Sequence, residues 1–230
     1  MSGGSLEIND GLIESNSTRV IHVYNGGTFN MTGGTIKANE NKIGVLFHDD
    51  SVSTISGGTI ISNGSSYPIY TNQGCNLTIT GGTFTSTDSY AIGSDSDRPN
   101  NVVIKGGTFN APNSTCIKNS GSVTIEGGTF NGKYGVYSFY DSTKANASVT
   151  GGQFNVTSDA IYSASNVYNF VQGGIWSKPV QDNYLSVGYI NDTNPDTETV
   201  ASYPYKVVRG ASVLFETNGG SAVTPITVKK

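Results

Sequence analysis

Charge is scarce in this chain. Asp, Glu, Lys and Arg make up 13% of its 230 residues, with 13 Lys and Arg scattered against 17 Asp and Glu for a net charge of −4. With no basic stripe to neutralise phosphates, nucleic acid is not an expected partner. Only two cysteines occur, Cys75 and Cys116, which make neither a disulfide framework nor a metal-ligand spacing. No apolar run approaches the eighteen or so residues of a membrane span, and neither of the two histidines, His22 and His48, has a Ser or Cys in a nucleophile-elbow context near it. The helical period is missing as well: short alternating stretches broken by Gly, Asn, Ser and Asp exclude long helices. Disorder is excluded in turn, because 35% hydrophobic residues and 13 tyrosines are more than an unfolded chain carries.

What is abundant is glycine, with 30 residues, and it recurs in pairs. The phrase Val123-Thr124-Ile125-Glu126-Gly127-Gly128-Thr129-Phe130 is one copy of a repeat whose glycine pairs begin at Gly33, Gly57, Gly81, Gly106, Gly127, Gly151 and Gly173, after a degenerate Asp10-Gly11. A period in the twenties means stacked supersecondary units that cannot bury their apolar faces alone. Two residues before each marker runs an apolar column: Ile8, Met31, Ile55, Ile79, Ile104, Ile125, Val149 and Val171. Three residues after it runs a second, Ile13, Ile36, Ile60, Phe84, Phe109, Phe130, Phe154 and Trp176. A third follows at Ile21, Val45, Ile69, Ile92, Ile117, Val136 and Ile161. Three short strands per repeat, with all three columns pointing inward, predict an all-β parallel solenoid of about eight rungs. The glycine pair marks a corner where a Cβ would clash or φ must be positive. Cys75 and Cys116 fall about two rungs apart, beyond the roughly 7 Å that a bridge allows, so two free thiols are expected.

The Gly-Gly-Thr-Phe phrases resemble the right-handed parallel β-helices of the pectate-lyase-like superfamily, most closely the versions in large surface proteins of Gram-positive gut bacteria. The resemblance covers roughly residues 5 to 176 and speaks for fold; it implies an extracellular, cell-wall-attached setting. Residues 1 to 4 read as an expression scar. Residues 177 to 208 read as a C-terminal cap, with Tyr184-Leu185-Ser186-Val187-Gly188-Tyr189 in it. Residues 209 to 230, through Val213-Leu214-Phe215-Glu216-Thr217-Asn218-Gly219-Gly220-Ser221, are similar to the opening hairpin of the internalin-type B repeat, the Listeria-Bacteroides repeat. An ordinary Asn-Gly hairpin fits the same residues.

Enzymes of this fold work with carboxylates, or with calcium and a basic residue, from neighbouring rungs of one face. Acid/base cleavage of sugars needs two carboxyl groups within about 5 to 10 Å, yet Asp49-Asp50, Asp95/Asp97 and Asp141 fall on alternate rungs. Asp95, Asp97 and Arg98 form the one tight acidic-plus-basic group and stand as a secondary site. Two carboxylates are too few for calcium, and no metal or cofactor is expected. The threonine column Thr35, Thr59, Thr83, Thr108 and Thr129 is explained by stacked hydroxyls and β-propensity.

The more informative residues lie beside the third apolar column. Alternation turns His22, Leu46, Tyr70, Tyr137 and Tyr162 outward, with Lys118 in the same row and Phe139 and Tyr140 just after Tyr137. Exposed rings along one face stack on sugars or anchor protein interfaces. The expected function is a non-catalytic, monomeric surface adhesin or binding module using Tyr70, Lys118, Tyr137, Phe139, Tyr140 and Tyr162. The gut-bacterial resemblance implies a host glycan, mucin or immunoglobulin as partner. A polysaccharide lyase or glycoside hydrolase is the alternative, and a structural stalk the second.

Overall fold

The computed structural model describes residues 2–94, 100–138, 146–163, 169–213 and 226–228, and is a parallel β-solenoid. Its first column of strands holds Ser5–Ile8, Thr28–Met31, Val52–Ile55, Asn76–Ile79, Asn101–Ile104, Ser122–Ile125 and Asn146–Val149, each parallel to the next. The second column starts at Leu12–Ser15 and Thr35–Ala38 and ends at Gln153–Val156 and Ile175–Trp176. The third begins at Arg19–Val23 and ends at Ile161–Ser163. In the middle, Thr108–Asn119 and Thr129–Ser138 run unbroken through the second and third columns. Their mutual register shifts between Ala111 and Thr115, which absorbs the shortest repeat.

Seven strands in the first column make six full turns, fewer than the eight rungs expected. The last repeat adds only a bridge from Val149 to Val171 and the two-residue strand Ile175–Trp176. At about 4.8 Å per turn, the first column is about 29 Å long.

The three apolar columns line one narrow core, and every member of them is buried except Ile13. Ile13 is 38% exposed beside Leu12 at 63%, because its strand is the first in its sheet and no earlier turn lies over it. The second column carries the largest side chains. Phe84, Phe109, Phe130, Phe154 and Trp176 stack with centroids 4.9, 4.9, 4.5 and 3.7 Å apart and planes within 20° of parallel. One ring per turn at nearly the strand spacing fills the interior while satisfying the offset-stacked preference of aromatics.

The two glycines of each pair answer different requirements. At the first, a Cβ would fall on the carbonyl of the turn below, as Gly127 would on Lys105 and Gly151 on Glu126. At the second, φ is positive, as at Gly107 (97°) and Gly128 (101°), a region that costs other residues energy. The return corner from third to first column is held by buried Asn100, whose Nδ2 donates to Thr71 Oγ1 at 2.8 Å and to Ser94 Oγ at 2.7 Å.

At the far end the parallel sheet is closed by an antiparallel strand, Tyr205–Arg209, which pairs with Ile175–Trp176 on one side and Tyr189–Thr193 on the other. Asn191 clamps Val180 by accepting its N–H and donating to its carbonyl. Ala211–Val213 and Ile226–Val228 then form a separate antiparallel pair. Residues 214–225 between them lie outside the described residues.

Candidate functional site

The outward row beside the third column is in register from turn to turn: His22, Leu46, Tyr70 and Gly93, then Lys118, Tyr137 and Tyr162. Leu46 departs from expectation. It is only 6% exposed, sitting between His22 and Tyr70 on the adjacent turns. Tyr70, Tyr137 and Lys118 are half-buried, and Tyr162 is 45% exposed.

A second outward row joins the first. Tyr67, Tyr90 and Tyr134 stand two residues before the inward Ile69, Ile92 and Val136, and sequence reasoning missed them because it followed alternation only on the other side of those residues. The signal was available in the same period. Together the two rows make a continuous ribbon of six tyrosines: Tyr70 to Tyr67 at 5.1 Å, Tyr67 to Tyr90 at 5.9 Å, Tyr90 to Tyr137 at 6.2 Å, Tyr137 to Tyr162 at 5.0 Å and Tyr162 to Tyr134 at 4.8 Å. Gly93 makes room for it, since a Cβ there would lie 2.6 Å from the Tyr67 ring.

Ring orientation divides the ribbon. Tyr70, Tyr67 and Tyr90 lie nearly parallel, at 17° and 11°, and cover one another's faces. From Tyr90 onward the planes turn, to 38° at Tyr137, 61° between Tyr137 and Tyr162, and 35° between Tyr162 and Tyr134. The late rings do not cover one another as a stack does, and Tyr162 among them is the most exposed of the six, so the early turns carry a stack and the late turns a tilted cluster that serves as a platform. Lys118 Nζ lies 5.7 Å from the Tyr90 centroid and Lys133 Nζ 5.5 Å from that of Tyr134, both within cation–π range. Burial pushes the Tyr90 phenol above its ordinary pKa, against the opposing pull of the Lys118 charge.

Phe139, Tyr140, Asp95, Asp97 and Arg98, named as site candidates from sequence, lie outside the described residues. The histidines form a separate cluster near the first turns: His22 stacks on Tyr24 at 4.4 Å and meets His48 edge-on at 5.8 Å, while His48 Nδ1 is 2.8 Å from Asp49 Oδ2. Both cysteines are buried free thiols. Burial pushes the Cys75 thiol up to about 12 and the Cys116 thiol still further in the same direction. Neither is a nucleophile at neutral pH. Among the described residues no group of three or more His, Cys, Asp or Glu could hold a metal ion, and no helix is long and apolar enough to cross a membrane. Compared with models of known families, with curated proteins and with solved structures, the chain matches none.

Proposed function

We propose that this solenoid is a non-catalytic binding module whose contact face is the tyrosine platform of the late turns, Tyr134, Tyr137 and Tyr162, with Lys118 beside it. The observation that carries the reading is the change of ring orientation along the ribbon. Stacked rings cover one another's faces, as Tyr70, Tyr67 and Tyr90 do. Tilted and edge-on pairs are as favourable as stacks without covering the rings in the same way, and the exposed ring of Tyr162 with its phenol edge suits sugar rings or glycoprotein surfaces. The Gly-Gly-Thr-Phe resemblance supports a pectate-lyase-like β-helix of a Gram-positive surface protein as the setting. The antiparallel pair after the cap is compatible with the start of an internalin-type B repeat. In that setting the partner class is a host glycan or glycoprotein such as mucin or immunoglobulin.

The test is a glycan and host-protein array followed by titration of any hit against a Tyr137→Ala/Tyr162→Ala variant. Loss of roughly 2 kcal/mol or more of affinity is expected, as for central aromatic anchors, with an unchanged circular dichroism spectrum. Unchanged affinity would move the contact face elsewhere on the molecule. A pure stalk would give no hit in the first place.

A further inference from the structure

Around the corner from the platform lies a trough of about 350 Å³ lined by Asn110, Pro112, Asn131, Gly132, Asn155 and Thr157. Its floor is a ladder of amides on the outer face of the second column. Asn110 Nδ2 donates to Thr85 Oγ1 at 3.2 Å, Asn131 Nδ2 donates to Asn110 Oδ1 at 2.9 Å, and Asn155 Nδ2 donates to Asn131 Oδ1 at 3.5 Å. Each rung of that ladder uses one amide hydrogen and one oxygen, whereas an Asn side chain has two hydrogens and two oxygen lone pairs to offer. The register is fixed by the strands beneath, since Asn110, Asn131 and Asn155 are direct neighbours in the parallel sheet.

The trough and the platform are joined by a single strand. Thr129–Ser138 supplies Asn131 and Gly132 to the trough, Lys133 at the exposed corner, and Tyr134 and Tyr137 to the platform. Lys133 Nζ leans over the Tyr134 ring. Resting on the reading of the platform as a glycan-contact face, we infer that the asparagine trough is a second sugar subsite of the same site. One end of a glycan stacks on Tyr134, Tyr137 and Tyr162, and the chain bends around Lys133 to set further sugar rings in the trough. The volume is at the lower end of small-ligand sites. The chemistry suits a sugar: the exposed lining is mostly apolar, with Pro112 in it, for the C–H side of a ring, and the spare amide hydrogens and lone pairs of the asparagine ladder meet its hydroxyls.

Titration of the isotope-labelled protein with di- and tetrasaccharides of the N-acetyllactosamine series, neutral and sialylated, tests this by NMR. Platform and trough report separately, through tyrosine ring signals and asparagine side-chain amides. The tetrasaccharide is expected to shift both sets and to bind about tenfold tighter than the disaccharide, the equivalent of one or two net hydrogen bonds. Asn131→Leu should remove that tenfold advantage while leaving disaccharide binding at the tyrosines in place. Thr157→Val, which leaves the amide ladder untouched, should weaken only the tetrasaccharide, and guards against a variant that merely disturbs the sheet. A tetrasaccharide that shifts the tyrosines without the asparagine amides overturns the second subsite and leaves the platform standing. Shifts at the platform produced by enzymatically deglycosylated mucin polypeptide and by none of the sugars would overturn the sugar assignment. Silence of both sets toward every probe would remove the trough proposal and the glycan reading together.

Discussion

Two aromatic arrays run along this solenoid, one inside and one outside, and they differ in composition and in order. The inner array, Phe84 to Trp176, contains no tyrosine, and its rings stay within 20° of parallel throughout. The outer ribbon is all tyrosine, starts as a stack and turns until the planes of Tyr137 and Tyr162 stand 61° apart. Both obey the same repeat. A ring that recurs once per turn in a dry interior has stacking and burial as its only gains, so order persists to the end of the column. A phenol at the surface keeps its hydroxyl wet and can turn without losing much, so its orientation is free to follow another requirement. The ribbon therefore separates what the repeat imposes from what a binding face would ask.

The comparison breaks most visibly under truncation. Phe130→Ala opens a cavity in the middle of the inner stack and should cost about 3–5 kcal/mol of stability, read from the urea midpoint. Because each turn contacts only its neighbours, hydrogen exchange in that variant should rise around Phe109 and Phe154 and stay unchanged at Met31. A uniform rise would show that the solenoid unfolds as one unit, and the local picture would fail.

The outer ribbon should split into two classes of effect. Tyr67 is stacked on both sides, by Tyr70 and Tyr90, and its truncation to Ala should cost about 2 kcal/mol at roughly 1 kcal/mol per ring pair. Tyr162, the most exposed of the six, should cost no more than about 0.5 kcal/mol in the same denaturation assay. Equal losses at the two positions would erase the distinction between stack and platform.

How far these arrays were legible follows from where the side chains sit. The inner columns could be written down from the sequence because burial on one side of a strand enforces a period of two, and neighbouring turns repeat it in register. Ile13 escaped for an end effect: its place in the pattern is right, but no preceding turn covers it. Leu46 escaped for a lateral one, since its neighbours His22 and Tyr70 flank it from the turns on either side. Tyr67, Tyr90 and Tyr134 were overlooked because they precede the inward residue at the corner, where simple alternation gives no direction. Asn110, Asn131 and Asn155 each follow the inward phenylalanine of their repeat, and form a trough only because the parallel register stacks them side by side.

The inner environment also silences chemistry that the surface would allow. Cys75 and Cys116 should not react with a thiol reagent at mildly alkaline pH in the native state, their thiols being buried and pushed up, Cys75 to about 12. Both should react fully in concentrated guanidinium. A fast native reaction at either would mean that the core opens locally on the time scale of the assay.

The smallest expected effect lies at the open end, where neither array reaches. Burial holds the His22 imidazole below its ordinary pKa of 6.5, reinforced by the positive charges of Arg19 and His48 and opposed by Asp49. Arg19 Nη1 lies 3.3 Å from His22 Nδ1, so the neutral ring can accept a hydrogen bond there that the protonated ring cannot. The unfolded chain then binds a proton more readily than the folded one. Stability from this group is complete above 6.5, declines as pH falls through that value, and levels off once pH has passed the lower folded pKa. Glu14, lowered by its hydrogen bond and charge contact with Lys37, acts only as pH falls through the carboxylate range and leaves the histidine window clear. Urea midpoints measured from neutral pH down to about 5.5 should therefore drop for the parent chain and drop less for His22→Phe, which keeps a ring against Tyr24 but cannot titrate. Hydrogen exchange over the same range should place the loss in Arg19–Val23 and Ile43–Phe47, the two strands that bring His22 and His48 together. Parallel pH profiles for parent and variant would assign the acid sensitivity to some other group.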